Sequence, residues 1–430
     1  MKKLLFLIIG ILILGCTDHK RTSVNLPKPL ETVYIIQSSE LSKEDYHNKV
    51  LGALVGSAIG DAMGASTEMW HRDAIQLKYG YITGLTPALR PQSPEGTWDN
   101  NLPDGSTTDD TRWKLLMTEY FKKEKIQPNS FNNFILDYYQ QEVTKLQDAQ
   151  VLKSTDVFDE TVEKVDWIKE WARVSLAYNE GDSSYQKALN RFYGGEMSCA
   201  GQLYTPMFGL IAETPEEAYE LAYEHALFDI GYAKDISALV SAMTHVALRT
   251  SDLDSILSTI NFVDPVGYQN SRLVGRIALN TADASINQVL ALKRQAMFDS
   301  TFMQTDTTRI PDGFPNSKKQ WVLENKIFEF LEENEKEIAF HAGEIWQILI
   351  TSLVYSSGNF EQCMQFIVNY GRDNDTVAAI AGMILGAKYG FEALPTDLKT
   401  EVLQVNREVL GIDLEAMADG ITKLKFSPEE

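Results

Sequence analysis

Cysteine is nearly absent from this chain, and the scarcity rules out whole classes of protein. Three cysteines in 430 residues, Cys16, Cys199 and Cys363, are too few for a disulfide framework, and none stands in a metal-ligand spacing. Long apolar runs are missing too. Leu4 to Gly15 is the one uncharged, almost wholly apolar stretch, and it falls well short of the roughly 20 residues a helix needs to cross a hydrocarbon core. Positive charge is in deficit, with 39 Lys and Arg against 60 Asp and Glu and a net charge of −21. Such a surface repels phosphate backbones, so nucleic acid is excluded as a partner. Alternating strand patterns are scarce, and no Gly-x-Ser-x-Gly, Walker-type or dinucleotide-binding glycine pattern stands out.

What is present begins at the N-terminus. Lys2 and Lys3 precede the apolar stretch, which closes on Ile13-Leu14-Gly15-Cys16. Charged start, short apolar middle and small residue before the cysteine are the parts of a secretory signal, and the last four residues resemble a bacterial lipobox. The resemblance implies cleavage after residue 15, acylation of Cys16, and a membrane tether by lipid alone at the cell envelope. Thr17 to Val33 is polar and aperiodic, so 16–44 reads as a leash and 45–430 as the folded domain. With Cys16 assigned to lipid, Cys199 and Cys363 read as isolated buried thiols.

Apolar residues recur at helical spacing over Val50–Ile59, Trp113–Phe121, Ala218–Leu227, Ile236–Leu248, Ile338–Tyr355, Val377–Tyr389 and Leu398–Val409. Starts are well marked, as at Thr214-Pro215-Glu216-Glu217, with a capping hydroxyl, proline at the first helical position and acids in the first turn. The fold class expected is all-α, a compact multi-helix bundle. Gly80 to Gly105 and residues 299–316 read as long loops.

Three segments carry chemistry. Gly52, Gly56, Gly60 and Gly64 form a stripe along one helix, which a helix tolerates only where something needs close backbone approach. Beside the stripe stand Asp61 and Glu68, acids at the edge of a core where charge must be compensated. Thr108-Asp109-Asp110-Thr111 leads a second helix, and its adjacent carboxylates repel each other unless cations face them. Asp373-Asn374-Asp375-Thr376 repeats that logic ahead of a third. Carboxylate and hydroxyl oxygens suit hard ions such as Mg²⁺ or Mn²⁺. His225 and His245 lie among apolar neighbours and read as core histidines, whereas Trp70 and Trp98 flank the motifs and could stack on a flat base.

In order and spacing, Gly60-Asp61-Ala62-Met63-Gly64, Thr108-Asp109-Asp110-Thr111 and Asp373-x-Asp375-Thr376-x-Ala378-x-x-x-Gly382 resemble the three signature motifs of the ADP-ribosylglycohydrolase family. The resemblance implies two Mg²⁺ or Mn²⁺ ions at the base of a cleft, held by Thr108, Asp109 and Asp110 on one side and by Asp373, Asp375 and Thr376 on the other. It makes Glu68, Asp109 and Asp110 the catalytic candidates, with Glu68 orienting the attacking water, and gives Asp61 a structural hydrogen-bonding role ahead of ligation. The implied activity is hydrolysis of the glycosidic bond between an ADP-ribosyl or related ribosyl group and an acceptor, by a monomer acting on a small molecule or an ADP-ribosylated substrate. Arg372 departs from the pattern, since glycine commonly precedes the Asp-x-Asp-Thr motif. The loop from Gly194 through Gly209 and the segment Glu224-His225-Ala226-Leu227 match only loosely. Two other readings stay open: a hydrolase of another extracellular nucleoside or N-glycoside, and a non-catalytic binding protein on the same scaffold.

Overall fold

The computed structural model describes residues 41–88, 102–123, 125–148, 155–302 and 308–426. The signal segment, Cys16, the leash as far as residue 40, and Trp98 fall outside them. Among the described residues there are seventeen α-helices and a single two-stranded pairing, Trp70–His71 with Gly371–Arg372, so the chain is all-α. No described helix is long and apolar enough to cross a membrane.

At the centre is a pair of helices. The first, Lys43–Gly64, starts at Ser42, whose hydroxyl accepts the Asp45 N–H at 3.0 Å. From Val50 onward it is buried on every side, as a helix apolar all round must be. Its partner, Asn374–Tyr389, is buried as far as Lys388. The two run antiparallel and meet through glycine: a methyl group on Gly52, Gly56 or Gly60 would fall on the carbonyl of Gly386, Gly382 or Ala378 respectively. Tight helix contact therefore accounts for the stripe. It also sets the site, because the C-terminal end of the first helix abuts the N-terminal start of the second, with Gly64 against the backbone of Asp375.

Helices Ala233–Arg249, Ala342–Ser356 and Phe360–Tyr370 pack around this pair, and Asp109–Phe121 lies across both members. The expected helices are present, Thr214 capping its own by accepting the Glu217 N–H at 3.1 Å. One start needs correction. The periodicity over 338–355 predicted a helix from Ile338, but it begins at Ala342. Residues 338–341 are held instead as an extended turn, where Phe340 accepts the Cys199 N–H at 2.9 Å and Ser198 bridges to His341.

The described parts of the two long loops contain no helix, and they lean on each other. Tyr81 donates its N–H to Asp312 at 2.8 Å, and its ring meets Phe314 at 4.8 Å. Cys199 and Cys363 are free and buried.

Candidate metal centre

Asp109–Phe121 begins at Thr108, whose hydroxyl accepts the Asp110 N–H at 3.3 Å and whose own N–H reaches out of the helix to Asp61. Asp61 takes three hydrogen bonds there: the Thr108 N–H at 2.9 Å, the Thr111 N–H at 3.0 Å and the Thr111 hydroxyl at 2.6 Å. Both oxygens of this fully buried carboxylate are thus committed to capping a neighbouring helix. Burial, then the nearby charge of Asp375, pushes its pKa up to about 7. Asp61 is a positioning group that fixes where Asp109 and Asp110 stand.

The other acids arrive through a different device. Gly371 (φ 88°) and Arg372 (φ 62°) are both left-handed, and the pairing of Arg372 with Trp70 ties this turn to the segment that follows Glu68. L side chains resist that conformation. Here the arginine is held by its side chain, a bidentate pair to buried Glu344 at 2.6 and 2.9 Å with a further bond to the Lys336 carbonyl at 2.7 Å. Asn374 donates to the Thr67 hydroxyl at 2.9 Å, a second stitch between the two segments.

The outcome is convergence. Glu68, Asp373 and Asp375, all nearly fully buried, each present an oxygen within 4.8 Å of the other two. Thr376 donates its hydroxyl to Asp110 at 3.0 Å, which joins the two helix starts. Asp110, Thr376, Glu68, Asp373 and Asp375 therefore gather in one buried centre, and Thr108 and Asp109 stand at the helix start that leads into it. Asp110 and Asp373 are both held well above the usual carboxylate range, by burial first and by neighbouring acids as well. A divalent cation fits this donor set: hard oxygens from separate elements, out of water, whose mutual repulsion it would relieve. Glu68, Asp373 and Asp375 would hold it.

Sequence reasoning missed three neighbours. Lys114, itself buried, sets its ammonium 3.2 Å from Asp110 on the next turn of the same helix. Half-buried Trp167 donates its indole N–H to Asp109 at 3.3 Å. The Cys199 thiol lies 3.6 Å from Asp373, and burial followed by that carboxylate raises its pKa well above the ordinary thiol value. The i,i+4 spacing of Asp110 and Lys114 was the one local signal available. The remaining expectations fall outside the centre. His225 bonds the Leu221 carbonyl and the Tyr120 hydroxyl, and burial lowers its pKa to about 4. His245 is a core residue lowered to about 3, and Trp70 packs on Tyr79 and Lys78.

Comparison with known proteins agrees with these motifs. The chain belongs to the ADP-ribosylglycohydrolase family, whose model matches residues 42–429. It is similar to the uncharacterized protein YegU of Escherichia coli K12, 22% identical over 392 residues that cover 89% of this chain and 98% of that protein. It is similar also to the ADP-ribosyl-dinitrogen reductase glycohydrolase of Rhodospirillum rubrum, 20% identical over 364 residues, 84% of this chain and 93% of that one. A solved ADP-ribosylglycohydrolase-related protein complex matches with a TM-score of 0.49 at 17% identity, over 89% of this chain and 100% of the other.

Proposed function

We propose that this member of the ADP-ribosylglycohydrolase family is a divalent-cation-dependent hydrolase that cleaves the glycosidic bond between the ribose of an ADP-ribosyl group and its acceptor. The observation that carries the reading is the 3.0 Å bond from Thr376 to Asp110, which unites two helix starts far apart in sequence beside the convergent Glu68, Asp373 and Asp375.

Bound at that triad, a divalent ion would supply Lewis acidity and a fixed positive charge beside the ribose hydroxyls. The chain's own residues do the rest. Glu68 accepts a proton from the attacking water as the water oxygen bonds to the anomeric carbon and the bond to the acceptor breaks; that proton then goes to the departing acceptor. Positive charge that builds on the ribose ring meets the carboxylate of Asp109, while Asp110, paired with Lys114, links the two helix starts through Thr376. Asp61 keeps Asp109 and Asp110 in place through the helix start, and no covalent nucleophile is required.

Purified protein incubated with Mg²⁺ and ADP-ribosylated arginine peptides, ADP-ribosylated serine peptides or ADP-ribosyl nucleotides tests the reading. Release of ADP-ribose from one of them is expected, and Glu68→Gln should reduce its rate by about 10²-fold or more. No release from any of the three, with metal bound, removes the substrate claim. The lipobox-like Gly15-Cys16 supports placing the enzyme at the cell envelope; fatty-acid labelling that persists in Cys16→Ser would remove that assignment.

A further inference from the structure

The acidic centre contains a cation of its own. Lys114 is 2% exposed, and among the described residues its ammonium makes one hydrogen bond, to Asp110 Oδ1. A lysine this deeply buried is held by what it neutralises, since an unpaired charge out of water is severely destabilising. The other oxygen of Asp110 accepts from Thr376, so both of its oxygens are occupied by protein donors. Groups around it are engaged too. The Thr108 hydroxyl caps its own helix, Asp109 Oδ2 takes the Trp167 indole, and Asp61 is spent on three donors from 108–111. At Glu68, Asp373 and Asp375, by contrast, one oxygen from each of three acids lies within 4.8 Å of the other two, with the Cys199 thiol 3.6 Å from Asp373, and Arg372 beside them turns to Glu344.

We infer that Lys114 replaces one of the two divalent ions that the family resemblance implies, so that this centre takes a single ion at Glu68, Asp373 and Asp375. An ion ligated by Asp110 would sit about 2.1 Å from its oxygen, on a carboxylate that already carries an ammonium. Two positive charges there would repel across a low-dielectric gap, and the tethered one has the permanent claim. Lys114 is thus a positioning residue that sets metal stoichiometry by charge and occupancy. This inference rests on the metal dependence proposed above.

Titration of the metal-free full-length protein with MnCl₂, followed by calorimetry and by the electron paramagnetic resonance of unbound Mn²⁺, counts the ions. About one Mn²⁺ per chain is expected for the wild type and for Lys114→Arg, which keeps the charge, and about two for Lys114→Met, which removes it. Two ions in the wild type overturn the inference and leave the proposed activity standing. One ion in both wild type and Lys114→Met overturns the role of Lys114. No ion in any of the three defeats the metal-dependent reading and this inference with it. Should Lys114→Met fail to fold, Mn²⁺ anomalous density in wild-type crystals decides the question: one peak among Glu68, Asp373 and Asp375 is expected, and a second peak on Asp110 overturns it.

Discussion

Met69 donates its backbone N–H to the Arg372 carbonyl at 2.7 Å, and both residues hold a left-handed backbone with φ of 62°. Each is one residue from a converging acid, Met69 after Glu68 and Arg372 before Asp373. Backbone strain is therefore concentrated where two segments are turned toward each other, and the surrounding hydrogen bonds sustain it. A β-branched side chain resists that conformation most. Met69→Val should destabilise the fold by about 1–2 kcal/mol and weaken Mn²⁺ binding, whereas Met69→Ala should do less of both. Urea denaturation and metal titration measure the pair; equal binding in the two variants would refute the link between strain and site.

Asp61 touches no member of the converging triad among its hydrogen bonds, yet it holds the Thr108–Thr111 turn by three donors. Asn in its place faces backbone N–H groups with an amide that has one acceptor oxygen. Asp61→Asn should cost about 3 kcal/mol, near the penalty for stranding buried donors. A loss below about 0.5 kcal/mol by urea unfolding would mean that the cap is dispensable.

A methyl group at residue 60 has nowhere to go, since it would meet the Ala378 carbonyl and the Ala379 N. Gly60→Ala gains helix propensity of about 1 kcal/mol and loses more by prying the central pair apart. The expected net loss is about 2 kcal/mol, in the range of core overpacking. Because the strained contact is next to the site, the variant should also bind Mn²⁺ less tightly; unchanged stability and affinity together would contradict the packing described.

Adding a divalent ion should raise thermal stability, because it binds the folded arrangement of Glu68, Asp373 and Asp375 and removes their mutual repulsion. At a free concentration about a hundredfold above Kd the gain is about 2.7 kcal/mol, reversed by chelator. Asp373→Asn should retain its fold and lose this increment. Differential scanning calorimetry with and without Mn²⁺ measures it, and an equal increment in the variant would take Asp373 out of the ligand set.

Away from the site, Glu324 is buried and accepts hydrogen bonds from Tyr81 at 2.8 Å and Tyr355 at 2.6 Å. Burial raises its pKa from 4.5 to about 7, with the two tyrosines pulling the other way. In the folded state it keeps a proton that the unfolded chain has released, so its stabilising contribution is fully present below about pH 4.5 and is lost as pH rises through about 7. His225 and His245, lowered by burial, act in the opposite sense at acid pH. A comparison with Glu324→Gln isolates the carboxyl: between about pH 5 and 8 the wild type should lose more stability than the variant. Parallel urea midpoints over that range would show that Glu324 does not titrate in this window.

Local order in the chain was enough for the helices, because periodicity and capping act over a few residues: Thr108 and Thr214 cap the helices their neighbours announce. It also marked where acids crowd, since adjacent Asp109 and Asp110 repel each other unless something cationic faces them. The periodicity near Ile338 does not mark where that helix starts, because the Ser198–Cys199 segment that holds residues 338–341 out of the helix lies far away in sequence. Distance in sequence also hid what the acids do for one another. That Asp61 serves Thr108 and Thr111, that Arg372 bears a left-handed turn by gripping Glu344, and that Lys114 meets Asp110 inside the core depend on which helices cross. The crossing in turn depends on glycines that let the backbones of Lys43–Gly64 and Asn374–Tyr389 touch. Side-chain charge is written residue by residue, but what it costs or contributes is decided by burial and by partners, and those exist only once the chain has folded.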